Sequence, residues 1–160
     1  MTTDTSTTLT HTEVPATDAD IRFMRMALDE ARRALEADEV PIGAVIVVQG
    51  RVIGRGHNLT ETLADVTAHA EMQAITAAAQ TIGGKYLSGC TLYVTVEPCL
   101  MCAGAIGWSQ LSRIVYGAPD PKRGCSAFTS RPFHPRATIT PGVLADEAAA
   151  LMRDFFAKKR

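Results

Sequence analysis

The chain has 160 residues, 46% hydrophobic and 21% charged, with a formal net charge of −1. That length supports one domain with its own core and excludes a small disulfide-stapled scaffold. The sequence pI of about 6.4 excludes a surface-wide nucleic-acid footprint, so any such surface is a local patch.

The first residues lack the basic region and apolar run of a secretory signal. No apolar stretch is long enough to cross a bilayer, so no membrane partner is expected. A cytoplasmic, reducing compartment is expected, and no disulfide among Cys90, Cys99, Cys102 and Cys125. In that setting a Cys-x-x-Cys pair is more often metal-binding or redox-active than structural.

Residues Met1 to Ala16 are threonine-rich and poor in large apolar groups, which predicts a disordered tail over 1–17 and a single domain over 18–160. Thr17 and Asp20 read as a capping box. Ile21, Met24, Leu28, Ala31 and Leu35 then form one apolar stripe on a helix to about Ala37. After Pro41, the β-branched run Ala44 to Val48 reads as a strand buried on both faces. Gln49-Gly50 is a tight turn into a partner strand, Arg51 to Arg55. Leu59 to Val66 is a polar loop.

A second helix begins near Thr67, buries Met72, Ile75, Ala78 and Ala79, and ends at Gly83-Gly84. Thr91 to Val96 is a third strand. Pro98 suits the corner into a short helix, about Leu100 to Ser109. Arg113 to Gly117 is a fourth strand. Ala118 to Pro135 has no periodicity and reads as a long loop, a class often functional. Ala137 to Thr140 is a candidate fifth strand. A last helix spans about Asp146 to Ala157, with Ala149, Met152 and Phe155 or Phe156 inward. Alternating helices and strands argue a layered α/β/α sheet.

Two short pieces carry the chemistry. Thr67-Ala68-His69-Ala70-Glu71 and Glu97-Pro98-Cys99-Leu100-Met101-Cys102 each sit where a loop or strand hands over to a helix. Cys99 and Cys102 lie one helical turn apart, so both sulfurs can point the same way. A helix N-terminus favours thiolate over thiol. Two thiolates and the His69 imidazole make a zinc site with one position left over, the mark of a catalytic rather than a structural zinc. Glu71 is the candidate proton carrier. Alone, the cysteine pair is equally a redox dithiol or two buried small hydrophobes. Joined to His-x-Glu it matches the known motif pair of the zinc nucleobase deaminases, H-x-E with P-C-x-x-C. His11, His57 and His134 have no comparable context.

With these residues in view, the chain resembles the bacterial tRNA-specific adenosine deaminases, within the cytidine deaminase-like fold. The resemblance covers about Phe23 to Arg160. It is carried by Glu39 to Val45, Thr67 to Glu71, Thr91 to Thr95, Glu97 to Ala105 and Gly142 to Glu147. It implies a three-layer α/β/α sandwich around a mixed sheet of about five strands. It implies hydrolysis of adenosine to inosine at the wobble position of a tRNA anticodon, one Zn2+ per subunit, and a homodimer whose anticodon site uses both subunits. Carried over by position, His69, Cys99 and Cys102 match the zinc ligands and Glu71 the proton shuttle. Asn58 matches a hydrogen-bond partner of the flipped base, Ile42 an apolar pocket wall, and the Ala70 N–H a contact to the developing oxygen. Asp120 matches a position near the target nucleotide's backbone, and Phe156 a ring that stacks on a nucleotide. The plainer readings are a turn residue for Asn58 and Asp120, and core packing for Ile42 and one of the Phe155-Phe156 pair.

His57 stands where some members carry tryptophan, and Arg123 to Arg136 is shorter than in the best-known members. Lys122, Arg123, Arg131 and Arg136 are candidate phosphate contacts, against the plainer reading of solvated loop cations. Rival readings are a deaminase of a free base or nucleoside (guanine, cytosine or cytidine), a zinc-stabilised binding module without catalysis, and an α/β domain with a redox dithiol.

Overall fold

The structure, a computed structural model, describes residues 9–159. Helix α1 (Asp18–Glu36) opens on the expected capping box: the Asp20 N–H donates to the Thr17 hydroxyl and the Thr17 N–H to the Asp20 carboxylate. Its buried face holds Phe23, Met24, Ala27, Leu28, Ala31 and Ala34, so it is turned from the expected stripe, and Ile21 is exposed.

Strands β2 (Gly43–Val48) and β3 (Arg51–His57) form the antiparallel hairpin, closed by Gln49 and Gly50, both at positive φ. Helix α2 spans Ala70–Ile82 and ends on Gly83 in the left-handed region. It starts three residues later than Thr67, because His69 is extended and occupies the N-cap. Strand β4 (Thr91–Val96), helix α3 (Leu100–Trp108) and strand β5 (Arg113–Ala118) follow as expected. Strand β6 (Thr138–Thr140) is the short fifth candidate, and helix α4 runs Ala145–Lys158. In α4 the buried residues are Ala148 and Phe155; the expected inward Ala149 and Met152 are half-buried, and Phe156 is exposed.

The sheet has six strands rather than about five, in the order β1-β6-β5-β4-β2-β3. The extra one, β1 (Thr12–Glu13), corrects the expectation of a disordered tail over 1–17 for residues 9–16. Thr12 and Glu13 pair parallel with Thr138 and Ile139, and the Val14 N–H donates to the Ile139 carbonyl. Backbone pairing holds this segment where side-chain hydrophobicity does not. Residues 1–8 of the expected tail lie outside the described residues.

Alternation along the strands separates two cores. Ala44, Ile46, Leu92, Val94, Ile114 and Tyr116 pack with Ala70, Ala74 and Ala78 of α2 and Ala103 and Ile106 of α3. Val45, Val47, Tyr93 and Val115 pack with Phe23, Met24 and Ala27 of α1. Helix α4 covers β5 beside α1, through Leu28, Ala118 and Ala148. This is the three-layer sandwich, with α2 and α3 side by side on one face.

Candidate metal centre and active site

Helix α2 lies close to the sheet because it packs there through Ala70, Ala74 and Ala78 and glycine faces it from β3. A Cβ on Gly56 would lie 2.6 Å from the Gln73 Cβ and 2.7 Å from the Ala74 backbone nitrogen. This approach fixes where the α2 N-terminus falls. Strand β4 runs straight through Glu97-Pro98 into α3, so the start of α3 is fixed by the same sheet. The N-cap of α2 is His69 and that of α3 is Cys99, and neither makes a side-chain capping hydrogen bond.

Those two helix starts bring the ligand candidates together. His69 Nδ1 lies 3.6 Å from Cys99 Sγ and 3.4 Å from Cys102 Sγ. All three ligand atoms fall within 4.8 Å of one another, and among the described residues no fourth His, Cys, Asp or Glu joins them. A tetrahedral zinc with Zn–S of about 2.3 Å and Zn–N of about 2.0–2.1 Å sets N···S at roughly 3.6 Å. The donor set therefore fits zinc in number, type and spacing, and a three-donor set is that of a catalytic site.

The electrostatics agree. The Cys102 hydrogen bond, outweighing burial and aided by His69, holds the Cys99 thiol down at about 4. The same bond pushes the Cys102 thiol upward, and burial adds to it. His69 is raised, chiefly by its hydrogen bond to Cys99. The triad thus retains protons between its donor atoms, the place a cation takes on binding. Glu71, 4% exposed on the first turn of α2, is lifted to about 6, mainly by burial.

Beside the triad is a cavity of about 280 Å³. It is lined by His69, Cys99 and Glu71 and by five further residues the sequence singled out: Ile42, Asn58, Ala70, Asp120 and Arg123. Asn58 is buried, and its side-chain oxygen accepts from the Thr60 N–H, which fixes the amide's orientation. Asp120 also caps its own loop, accepting from the Lys122 and Arg123 N–H groups, so the turn reading holds alongside the lining one. Phe156 is not brought to the cavity: its ring is 46% exposed and edge-on to Phe155, over a separate surface recess.

Sequence reasoning missed three participants. Glu97 is buried and accepts from the Asp120 and Ser126 N–H groups and the Ser126 hydroxyl, tying the loop after β5 to the cavity wall. Glu39 does the same for the loop after β3, through the Glu61 and Thr62 N–H groups. Met152 of α4 also lines the cavity. The signal available was a carboxylate directly before Pro98-Cys99; its partners are 23 and 29 residues away.

The chain is similar in sequence and in fold to known proteins. The family described as "Cytidine and deoxycytidylate deaminase zinc-binding region" matches residues 17–118. The chain is 49% identical over 143 residues to the tRNA-specific adenosine deaminase of Agrobacterium fabrum, covering 86% of this chain and 94% of that one. It is 44% identical over 146 residues to the tRNA-specific adenosine deaminase of Bacillus subtilis, covering 88% and 91%. A solved structure from a study of A-to-I editing by tRNA:A34 deaminases superposes with a TM-score of 0.76 at 46% identity, covering 81% of this chain and 98% of that chain. A guanine deaminase from Nitrosomonas europaea superposes with a TM-score of 0.75 at 27% identity, covering 92% and 88%. The triad, its three-donor count and these likenesses converge: the chain belongs to the zinc-dependent cytidine and deoxycytidylate deaminase family, among the tRNA-specific adenosine deaminases.

Proposed function

We propose that the protein hydrolyses adenosine to inosine at the wobble position of a tRNA anticodon, releasing ammonia. The observation that carries this reading is the cavity, in which a buried Asn58, an apolar Ile42 wall and the first N–H of α2 surround Glu71 beside the His69–Cys99–Cys102 triad. Zinc, when bound by that triad, supplies a Lewis acid that brings the pKa of water toward neutrality. Glu71 moves two protons: it takes one from the attacking water and passes it to the ring nitrogen beside the amidine carbon, then takes the second from the hydroxyl now on that carbon and delivers it to the amine, which leaves as ammonia as the C–N bond breaks and the carbonyl forms. A carboxyl lifted to about 6 can both accept and return a proton near neutral pH. Asn58 holds the base edge, Ile42 packs on its face, and the Ala70 N–H meets the developing oxygen at the positive end of α2.

The likeness to a guanine deaminase favours a second reading, turnover of a free base. Mixing the enzyme with total tRNA and sequencing for adenosine-to-inosine conversion separates the two. Conversion confined to a wobble adenosine is expected; faster ammonia release from free guanine or cytosine would reverse the order.

The enzyme acts as a homodimer in the cytoplasm. Support for the dimer comes from α3, which presents exposed Leu100 and Met101 and an 85% exposed Trp108 that shares a surface recess with Tyr86. Support for the compartment comes from four free cysteines, two of them in the triad. No described helix is long and apolar enough to cross a membrane.

A further inference from the structure

The loop from Pro119 to Ala137, between β5 and β6, is anchored at two ends by unrelated means. Near the cavity it is held by Glu97, by the Cys125 N–H on the Pro98 carbonyl, and by a bridge between Cys99 and Gly124. At the far end it is held by the N-terminal segment. There the Thr10 N–H donates to the Ser130 carbonyl at 2.8 Å, and His11 is buried between Phe133 and Ala137.

His11 Nδ1 lies 3.2 Å from the Ala137 carbonyl, and the Phe133 N–H reaches His11 Nε2 at 3.3 Å. A carbonyl only accepts and an N–H only donates, so Nδ1 carries the proton and Nε2 is bare. The ring is thus required neutral. Burial first, and the Arg131 charge with it, keep it below its usual 6.5 against the opposing pull of the Ala137 carbonyl. The imidazole also packs on the Phe133 ring, with centroids 5.3 Å apart. Between the anchors the loop exposes Phe128, at 62%, and carries Lys122, Arg123, Arg131 and Arg136 against one carboxylate, Asp120. Arg123 and Asp120 reach the cavity itself. Cations with an exposed aromatic ring are what a single-stranded nucleic acid binds: phosphates pair with the charge and a base stacks on the ring. Residue 11 lies outside the segment the family match covers, 17–118.

We propose that His11 is a positioning residue for the RNA substrate, latching the N-terminal strand to this loop so that its cationic, aromatic stretch is held beside the cavity. The inference rests on the tRNA reading above. An ordered loop presents its charges without first losing conformational freedom, so the latch acts on substrate capture rather than on the chemical step.

The test uses the full-length, zinc-loaded enzyme with His11→Phe and His11→Gln. Phenylalanine keeps the stack on Phe133 and removes both hydrogen bonds; glutamine offers one donor and one acceptor in their place. His11→Phe is expected to speed hydrogen exchange at the Phe133 amide and to raise KM for an anticodon stem-loop about five-fold, with kcat within about two-fold. Zinc content stays that of the parent, and His11→Gln returns both readouts most of the way. An unchanged KM in His11→Phe overturns the positioning role. So does a fall in kcat matched by zinc loss, which marks general damage. A parent enzyme inactive on the stem-loop overturns the tRNA reading instead, while exchange at Phe133, measured without substrate, still decides whether the latch exists.

Discussion

Glu71 shows how one side chain acquires a task from where it is put. On an exposed helix it would be an ordinary first-turn carboxylate stabilised by the dipole. Here α2 buries it against the triad, and losing water lifts its pKa to about 6. Replacing it by glutamine preserves shape and removes the proton. Glu71→Gln is expected to keep full zinc content and to lose roughly 10²–10⁴-fold in kcat, read by metal analysis and single-turnover deamination. Asp20 is the opposite case. Burial alone would raise its pKa, but the Arg113 guanidinium at 2.7 Å, the Thr17 N–H and the Tyr93 hydroxyl hold it at about 2, against 3.8 unperturbed. The folded state therefore binds fewer protons there than the unfolded state, and its contribution is complete above 3.8 and lost as pH falls toward 2. Asp20→Asn is expected to destabilise the protein by about 3 kcal/mol at neutral pH, with the deficit against the parent shrinking below pH 4, measured by urea unfolding across pH.

Among the elements, the tight approach of α2 to β3 does the positioning. Gly56→Ala forces the helix outward, since the added methyl meets α2 backbone atoms rather than a flexible side chain. A loss of about 1–3 kcal/mol in thermal or urea unfolding is expected, with weaker zinc retention in a chelator competition. The helices and the hairpin were legible in the sequence because their signals are local: a reciprocal cap at Thr17 and Asp20, a two-residue turn at Gln49-Gly50, and Pro98 at the strand-to-helix corner. The triad was legible for the same reason, since each of its halves lies within one helix start. Strand β1 was not, because Thr12 and Glu13 are exposed and polar and their order comes from backbone pairing to residues 126 positions away. The Glu97 and Glu39 clamps were hidden likewise, since carboxylates that accept mainly backbone N–H groups from distant loops leave little side-chain pattern to read. The rotated faces of α1 and α4 reflect tertiary choice: apolar side chains exceeded the positions the sheet could cover.

For the molecule as a whole, two sets of polar contacts tie layers and loops together. One runs from the Val14 carbonyl to the Thr140 hydroxyl, to Arg113, to Asp20 and the start of α1, so the N-terminal strand, three sheet strands and a helix share one network. The other fastens both loops around the cavity through Glu39 and Glu97. Neither touches the outer side of α3, whose exposed rings and aliphatic chains form the proposed subunit contact. Trp108→Glu is expected to convert a dimer to a monomer in sedimentation velocity while leaving the zinc content of each chain intact.

Two helices begin on candidate metal ligands, His69 and Cys99, rather than on residues that cap. Their opening amides therefore lack the serine or aspartate oxygen that ordinarily quiets a helix start, and zinc held by His69, Cys99 and Cys102 would fix those turns through their side chains instead. Stripping it with a chelator should loosen the first turns of α2 and α3 together, as paired gains in amide exchange at Ala70–Gln73 and Leu100–Ala103, while β2 and β4 stay protected. Paired gains would mark ion loading and the ordering of both helix starts as one event.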